Sequence, residues 1–554
     1  MLHKQAIIFK TLFLTLLAGS AFGRADKFRV IWQGNASTSA TIAWNQVSGT
    51  DPVLLLDVND FGKKADEYGL SKRPDRIQLA EDMNNHFVRL ENLLPNMTYY
   101  FLVKDSEGTS LRYFFTTAPS SPDRRLSIVS GGDSRNHRDA RQDANIMVAK
   151  LRPHCVMFGG DFTENDFPNE WQEWFDDWQL SIAEDGRVTP IIVTRGNHEA
   201  SNRSLVDLFD VRTDGLFYAT TIGGDLVRIY TLNTLIPVGG EQRDWLENDL
   251  RNHGSKAHWR IGQYHFPMRP HTARKSEKND QVAHWAPLFL KYDVNLMVEC
   301  DAHVVKSTWP IRPDNGPGSD EGFVRDDENG TVYIGEGCWG APLRSNDDDK
   351  NWTRASGSFN QFNWIFIDKN KIEVRTIQTD GAGRVGNIDP KNIFKAPVGL
   401  HIWNPPAGDV ITIAAKVPDI PAFEQDVLAS RGGAQGEPSA SAKTAPAPKS
   451  PGSVNQTGVA VVEDETGNWE ACPLIVADAA TGEVQIKYSV EESSNVVIRV
   501  INPKLQEVTR IELANQTPKE YLKALKISHL PPGKYLAIVK GDRKVLRRYR
   551  LVKK

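Results

Sequence analysis

The sequence predicts a multidomain protein: an N-terminal β-sandwich, a central α/β domain built as a β-sheet sandwich flanked by helices, and a small C-terminal β-sandwich. Three observations carry this. Residues 27–119 alternate short β-branched and aromatic runs with polar turns; from Leu126 short apolar runs alternate with helical periodicity; beyond residue 458 the chain returns to short strands. With 554 residues, 40% hydrophobic and 25% charged, the chain can bury several cores. Lys plus Arg number 66 against 70 Asp plus Glu, a formal charge of −4 that gives no global pull toward nucleic acid.

At the N-terminus, Lys4 precedes an apolar stretch from Ala6 to Ala18, and the small residues Ala21 and Gly23 mark a cut, so residues 1–23 read as a secretory signal peptide. No other stretch offers the roughly 20 apolar residues of a membrane span, which predicts an exported chain, secreted, periplasmic or at a cell surface. Residues 27–119 hold strand candidates Phe28–Trp32, Ser39–Trp44, Val53–Val58, Tyr99–Val103 and Tyr113–Thr117. The segment Leu93-Leu94-Pro95-Asn96-Met97-Thr98-Tyr99 resembles the tyrosine corner of a fibronectin type III-like domain, with Trp44 as its core tryptophan.

The α/β domain is expected over 124–385, with helices Ala140–Leu151, Glu170–Leu180, Gln242–Arg251 and Gln281–Tyr292. Trp171, Trp174, Phe175 and Trp178 fall on one helical face and are read as core. A β extension over 386–431 leads into a Pro/Ser/Gly/Lys-rich linker, 432–458, too poor in large apolar side chains to fold. The C-terminal β-domain spans 459–554. The four cysteines are too dispersed for a disulfide framework, although Cys300 and Cys338 are equally readable as a bridge or as two buried thiols.

Five apolar runs in the α/β domain end in potential metal ligands. They lead into Gly132-Asp133, Gly160-Asp161, Gly196-Asn197-His198-Glu199, His265, and Asp301-Ala302-His303. Carboxyl ends of strands in open α/β sheets converge on the ligand crevice, so residues distant in sequence can share one site. Glycine ahead of the first three lets the chain turn sharply and approach an ion closely. A single Gly-Asp is an ordinary turn; the ordered set is hard to obtain by chance.

That set resembles the calcineurin-like metallophosphoesterases, and the preceding sandwich narrows the resemblance to the purple acid phosphatase branch. The resemblance implies two divalent or trivalent metal ions (Fe, Mn or Zn), bridged by one carboxylate and by water or hydroxide. It puts Asp161 in the bridge, Asp133 and His303 on the first ion, Asn197 and His265 on the second, and His198 in the place of the catalytic histidine beside the leaving group. The implied chemistry is attack on a phosphate ester with proton donation from His198 to the departing oxygen.

Three positions depart from the family pattern. Asp301 stands where the family has an imidazole, and as a carboxylate it still offers the second ion a harder ligand, shifting preference toward Mn, Fe or Mg. Glu164 replaces the tyrosine that gives the purple enzymes their colour, so a colourless protein is expected, with Glu164 itself a candidate ligand. Arg135 cannot ligate a cation but can clamp a phosphate oxygen pair. In the loop after His265, His271 is the first candidate to face phosphate and Arg269 the second, while His137 and Arg138 read as solvated charges at the mouth.

The expected function is therefore a secreted dinuclear phosphatase acting on small phosphate monoesters. A phosphodiesterase or nucleotidase on the same core, and a surface binding protein whose site has decayed, are the alternatives. The turn-strand Leu530-Pro531-Pro532-Gly533-Lys534-Tyr535 and the terminal Lys-Lys resemble C-terminal sorting domains of type IX secretion, implying secretion machinery or surface attachment as a partner. An accessory β-sandwich reads the same residues equally well. The basic run from Lys540 reads as a strand with a solvated face.

Overall fold

The computed structural model describes residues 24–416 and, in the C-terminal region, 474–476, 482–490, 493–501, 507–541 and 545–553. The expected signal peptide, the linker over 432–458 and Cys472 lie outside the described residues. No helix among them is long and apolar enough to cross a membrane.

The N-terminal region is β-rich, the centre is α/β and the C-terminal region is strand-rich. Two large sheets form the first two regions. One has ten strands, with Leu126–Gly131, Cys155–Phe158 and Ile191–Val193 as adjacent parallel neighbours at its middle. The other has eight and carries Trp259–Gln263, Leu296–Glu299 and Val332–Gly335, also parallel. Ile128, Val129, Val156 and Ile192 from the first sheet share one buried cluster with Ile229, Ile261, Val298 and Ile334 from the second. These strands are apolar runs because both their faces are covered. Each ends in a loop, and those loops meet at one edge.

The N-terminal strands form two sheets, a separate five-stranded one that holds Val53–Asp57, Thr98–Asp105 and Tyr113–Thr116, and four strands that join the ten-stranded sheet. Ala25–Ile31 runs parallel to Ile191–Val193 through the pair Ile31 and Ile191, and Trp32 N donates to Ile191 O at 3.0 Å. One sheet of the N-terminal region thus continues the ten-stranded sheet, closing an edge that would otherwise expose unpaired backbone. Arg29 bolts the junction. Its buried guanidinium donates to Leu208 O at 2.9 Å and Asn85 Oδ1 at 2.7 Å, and lies 4.5 Å from the Phe175 ring centre. Tyr99 Oη accepts from Leu94 N at 2.7 Å, and Trp44 is fully buried.

Helices occupy Arg138–Leu151, Pro168–Trp178 and Glu241–Asn252. The Trp171, Trp174, Phe175 and Trp178 stripe is core, with Trp174 and Trp178 stacked 5.1 Å apart. The helix expected over Gln281–Tyr292 is two, Asn279–His284 and Ala286–Lys291, because Pro287 removes an N–H that would continue the first. An unexpected helix, Asn202–Phe209, starts where the Ser201 hydroxyl accepts from Arg203 N. Beyond residue 385 the chain is mostly coil until Ile411–Ala414 pairs with Lys371–Gln378. In the C-terminal region, a five-stranded sheet and the pair Glu483–Val490 with Lys519–Lys526 enclose Val484, Ile486, Ile498, Val500, Leu525 and Val539. The basic run forms the strand Val545–Lys553.

Candidate metal centre

The loops at the strand ends turn through backbone conformations that few side chains adopt. Asp133, Asp161, Asp301 and His303 have φ of 58°, 54°, 68° and 56°. Non-glycine residues held there cost roughly 1–3 kcal/mol each and persist only where the surroundings over-determine them. Glycine is required beside them. A Cβ on Gly196 would sit 2.2 Å from Asp161 Oδ1, and one on Gly337 (φ 96°) would sit 2.3 Å from Asp133 Oδ2. The first of these lies in the predicted motif; the second had no signal in the sequence.

Side chains scattered over the domain converge here. Asp133, Asp161 and His303 bring one donor atom each within 4.8 Å of one another, and so do Asp161, His265 and Asp301. Asp161 belongs to both sets. His303 Nε2 lies 3.2 Å from Asp133 Oδ1, His265 Nε2 lies 3.2 Å from Asp161 Oδ1, and Asn197 Oδ1 is 3.1 Å from His265 Nε2. Asn197 therefore joins the second set. Each imidazole donates its Nδ1–H to a backbone carbonyl, His265 to Gly159 O at 2.9 Å and His303 to Pro342 O at 2.8 Å. This fixes the orientation of both rings and turns both Nε2 atoms inward.

Asp133 Oδ1, Asp161 Oδ2 and His303 Nε2 are buried and find no hydrogen-bond partner among the described residues. Buried polar atoms are rarely left so. Two carboxylate oxygens and an imidazole nitrogen that face one another without a hydrogen bond suit a cation, so this donor set fits the metal ions that the fold implies. Burial pushes the His265 imidazole down, but Asp161, Asp133 and Asp301 together outweigh it and hold the ring protonated up to about 10. A ligating imidazole must be neutral. Loading the second set near neutral pH is therefore expected to release a proton, and affinity to fall as pH is lowered. Titration calorimetry with Mn²⁺ in buffers of different ionisation enthalpy measures that release; an enthalpy independent of buffer would contradict it.

His198 is partly exposed at the rim. Its Nδ1 donates to Glu164 O at 2.5 Å, leaving Nε2 3.7 Å from Asp161 Oδ2, and its backbone N donates to Asp161 Oδ1 at 2.9 Å. Two sequence expectations are corrected next to it. Glu164 belongs to neither donor set, because its carboxylate takes both arms of the Arg135 guanidinium at 2.7 Å. Arg135 is by the same token spent on Glu164 rather than held open as a clamp. His271 is corrected too. It is fully buried, bonded through Nε2 to Thr353 Oγ1 at 2.7 Å and set edge-on to Trp352, and burial together with Lys306 pushes its ring well below the usual histidine range. The loop folds inward because Met268 N donates to Glu299 Oε1 and His271 N to Glu336 Oε2. Arg269 follows, buried and donating to Glu321 O at 2.6 Å. His137 is exposed, and Arg138 pairs with Asp177 at 2.8 Å. Cys300 and Cys338 are two free buried thiols, both pushed up by burial.

Sequence reasoning missed several supporting groups. The Glu199 carboxylate accepts from Asp161 N (3.1 Å), Phe162 N (2.8 Å) and Gly196 N (2.7 Å), tying two ligand loops together. Burial and the Asp161 charge push its carboxyl up to about 8 against the pull of those donors. Its place in the Gly-Asn-His-Glu run was the available signal. Glu199→Gln would aim an amide NH₂ at backbone N–H and is expected to weaken ion binding about 10- to 100-fold, read by equilibrium dialysis; unchanged affinity would contradict this. Behind the second loop pair, buried Lys306 Nζ bridges Glu299 and Glu336 at 2.5 and 2.6 Å. Arg344 Nη1 donates to Asp301 O at 2.6 Å, and Lys275 pairs with the Asp301 carboxylate.

Residues 25–117 match the purple acid phosphatase N-terminal domain, and residues 133–305 match the calcineurin-like phosphoesterase family. Two proteins of Mycobacterium tuberculosis strains, both called uncharacterized, are each 25% identical over 377 residues, 56% of this chain and 69% of theirs. Among solved structures, the purple acid phosphatase PPD1 from yellow lupin is similar with a TM-score of 0.53 at 16% identity, covering 70% of this chain and 74% of that one. PhoD is similar with a TM-score of 0.51 at 12% identity, covering 71% and 92%. These two likenesses concern the fold. All five strand-end ligand segments fall inside the calcineurin-like match. The chain thus carries a calcineurin-like phosphoesterase domain fronted by a purple acid phosphatase N-terminal domain, and is a metal-dependent phosphoesterase.

Proposed function

We propose that this protein is an exported phosphatase that hydrolyses small phosphate monoesters at a dinuclear centre. In this reading Asp133, Asp161 and His303 hold one ion, and Asp161, Asn197, His265 and Asp301 hold the other. The observation that carries it is the set of three buried, unpartnered donor atoms around a carboxylate common to both groups. When bound, two such ions supply Lewis-acid neutralisation of the phosphoryl oxygens and a lowered pKa for water. The three carboxylates favour hard ions such as Mn, Fe or Mg.

The chain's own residues do the rest. Asp161 holds the two positions in register, while Gly159 O and Pro342 O keep the imidazoles aimed. Glu164 O orients His198 so that Nε2 faces the pocket and can give its proton to the departing oxygen. The Arg135–Glu164 pair stiffens that carbonyl. Export rests on the apolar segment and small-residue cut within residues 1–23, and surface attachment or a secretion system is the role proposed for the C-terminal strands.

Metal analysis with turnover of p-nitrophenyl phosphate and bis-p-nitrophenyl phosphate over Mn, Fe, Zn and Mg tests the reading. Two equivalents of ion with preference for the monoester are expected. Preference for the diester would replace it with a phosphodiesterase. One equivalent or none, without turnover, would leave a binding protein.

A further inference from the structure

The carboxylate and imidazole members of the two donor sets are alike in burial and unlike in their neighbours. Among the described residues neither Asp133 nor Asp161 pairs with a lysine or arginine; the side chains beside Asp161 are the imidazoles of His265 at 3.2 Å and His198 at 3.7 Å. In the second set a cation of the protein is already seated. Lys275 Nζ lies 2.5 Å from Asp301 Oδ1, the same oxygen that lies 3.7 Å from His265 Nε2. The Asp301 backbone is pinned at both ends and its side chain is buried. Its N–H donates to Asp133 Oδ2 at 2.9 Å, its carbonyl accepts from Arg344, and its side chain is 3% exposed. Lys275 comes from the turn after His271, where its N–H donates to Thr272 O at 3.1 Å, and its side chain is 25% exposed, so it can withdraw into solvent.

We propose that Lys275 is an internal competitor for the second metal ion. Its ammonium and the ion claim the same carboxylate oxygen, and two positive charges at one ligand oxygen repel strongly in a buried pocket. Loading is therefore sequential: the first set fills at low free ion, and the second fills only where the ion displaces Lys275 from Asp301. The carboxylate and the lysine act as one unit, since without Lys275 the second set would carry an uncompensated charge in the ion-free protein. This inference rests on the two-ion reading above.

Calorimetric titration of the full chain with Mn²⁺ alone tests it, without reference to turnover. The wild type is expected to show a tight and a weak class of site. Lys275→Met should tighten the weak class on the order of tenfold or more, the scale on which groups around a ligand tune an ion, and leave the tight class unchanged. Lys275→Arg, which keeps the charge, should keep the second class weak. Adding Asp301→Asn to Lys275→Met should abolish the gain. A second class unchanged or weakened in Lys275→Met, or both classes tightened equally, would overturn the inference while leaving the two-ion reading intact. A wild type that binds no Mn²⁺ would instead remove that reading.

Discussion

Asp161→Asn is expected to lose both ions and to slow phosphate-ester turnover by at least about a thousandfold, or roughly 4 kcal/mol of transition-state stabilisation. Asp161 is the one residue whose donor atoms enter both sets. Asparagine keeps its size but brings no charge to the shared position and can turn an NH₂ toward His265 or His198. The loss should not be a loss of fold. Asp161 N is held by Glu199, and Asp161 O accepts from Ser134 N at 3.0 Å, contacts that an asparagine backbone keeps. Its charge is also one of the forces pushing the Glu199 carboxyl up, so the ion-free variant sheds a repulsion. The lost attraction to His265 opposes that gain, so circular dichroism should show a folded variant while equilibrium dialysis reports no bound Mn²⁺. His265→Asn should differ, removing only the second ion. Retention of two ions by Asp161→Asn would show that the sets do not share a ligand.

His198→Gln is expected to keep both ions and to slow esters with poor leaving groups by about 100-fold or more, the scale of general acid catalysis. His198 belongs to neither donor set, so metal content should not change. An alkoxide needs a proton as it departs; p-nitrophenolate needs little help. Alkyl phosphate turnover should therefore fall far more than p-nitrophenyl phosphate turnover. Equal losses for the two would assign His198 to binding rather than to proton transfer.

What could be read from the sequence and what could not divide along a physical line. Asp133, Asp161, Asn197, His265, Asp301 and His303 each follow an apolar run that becomes a strand or its end, and the parallel central strands of two mixed sheets bring those ends to one edge whatever the loops do. Local grammar was enough to nominate them. The fates of Glu164, Arg135 and His271 were settled by partners far along the chain. Arg135 meets Glu164 across two loops, and His271 is drawn inward by Glu336, 65 residues away. Residue type alone gave them chemistry that their partners had already taken. Lys275 has no distinctive pattern until Asp301 is placed beside it, and Glu199, although it closes the Gly-Asn-His-Glu run, has no readable role until the Asp161 loop is placed beside it. The joining of the N-terminal strands to the catalytic sheet rests on the single pair Ile31 and Ile191, which no periodicity marks. The break at Trp285 was readable from Pro287, whereas the short helix Asn202–Phe209 has too few turns for periodicity to separate from a loop.

Anomalous diffraction from crystals of the full chain soaked in Mn²⁺ tests the convergence of these side chains most directly. Two peaks are expected, about 3.5–4 Å apart as in paired-ion sites, sharing the Asp161 carboxylate, one reached by Asp133 and His303 and the other by Asn197, His265 and Asp301. A single peak at full soak, or two peaks that share no ligand, would contradict the paired centre.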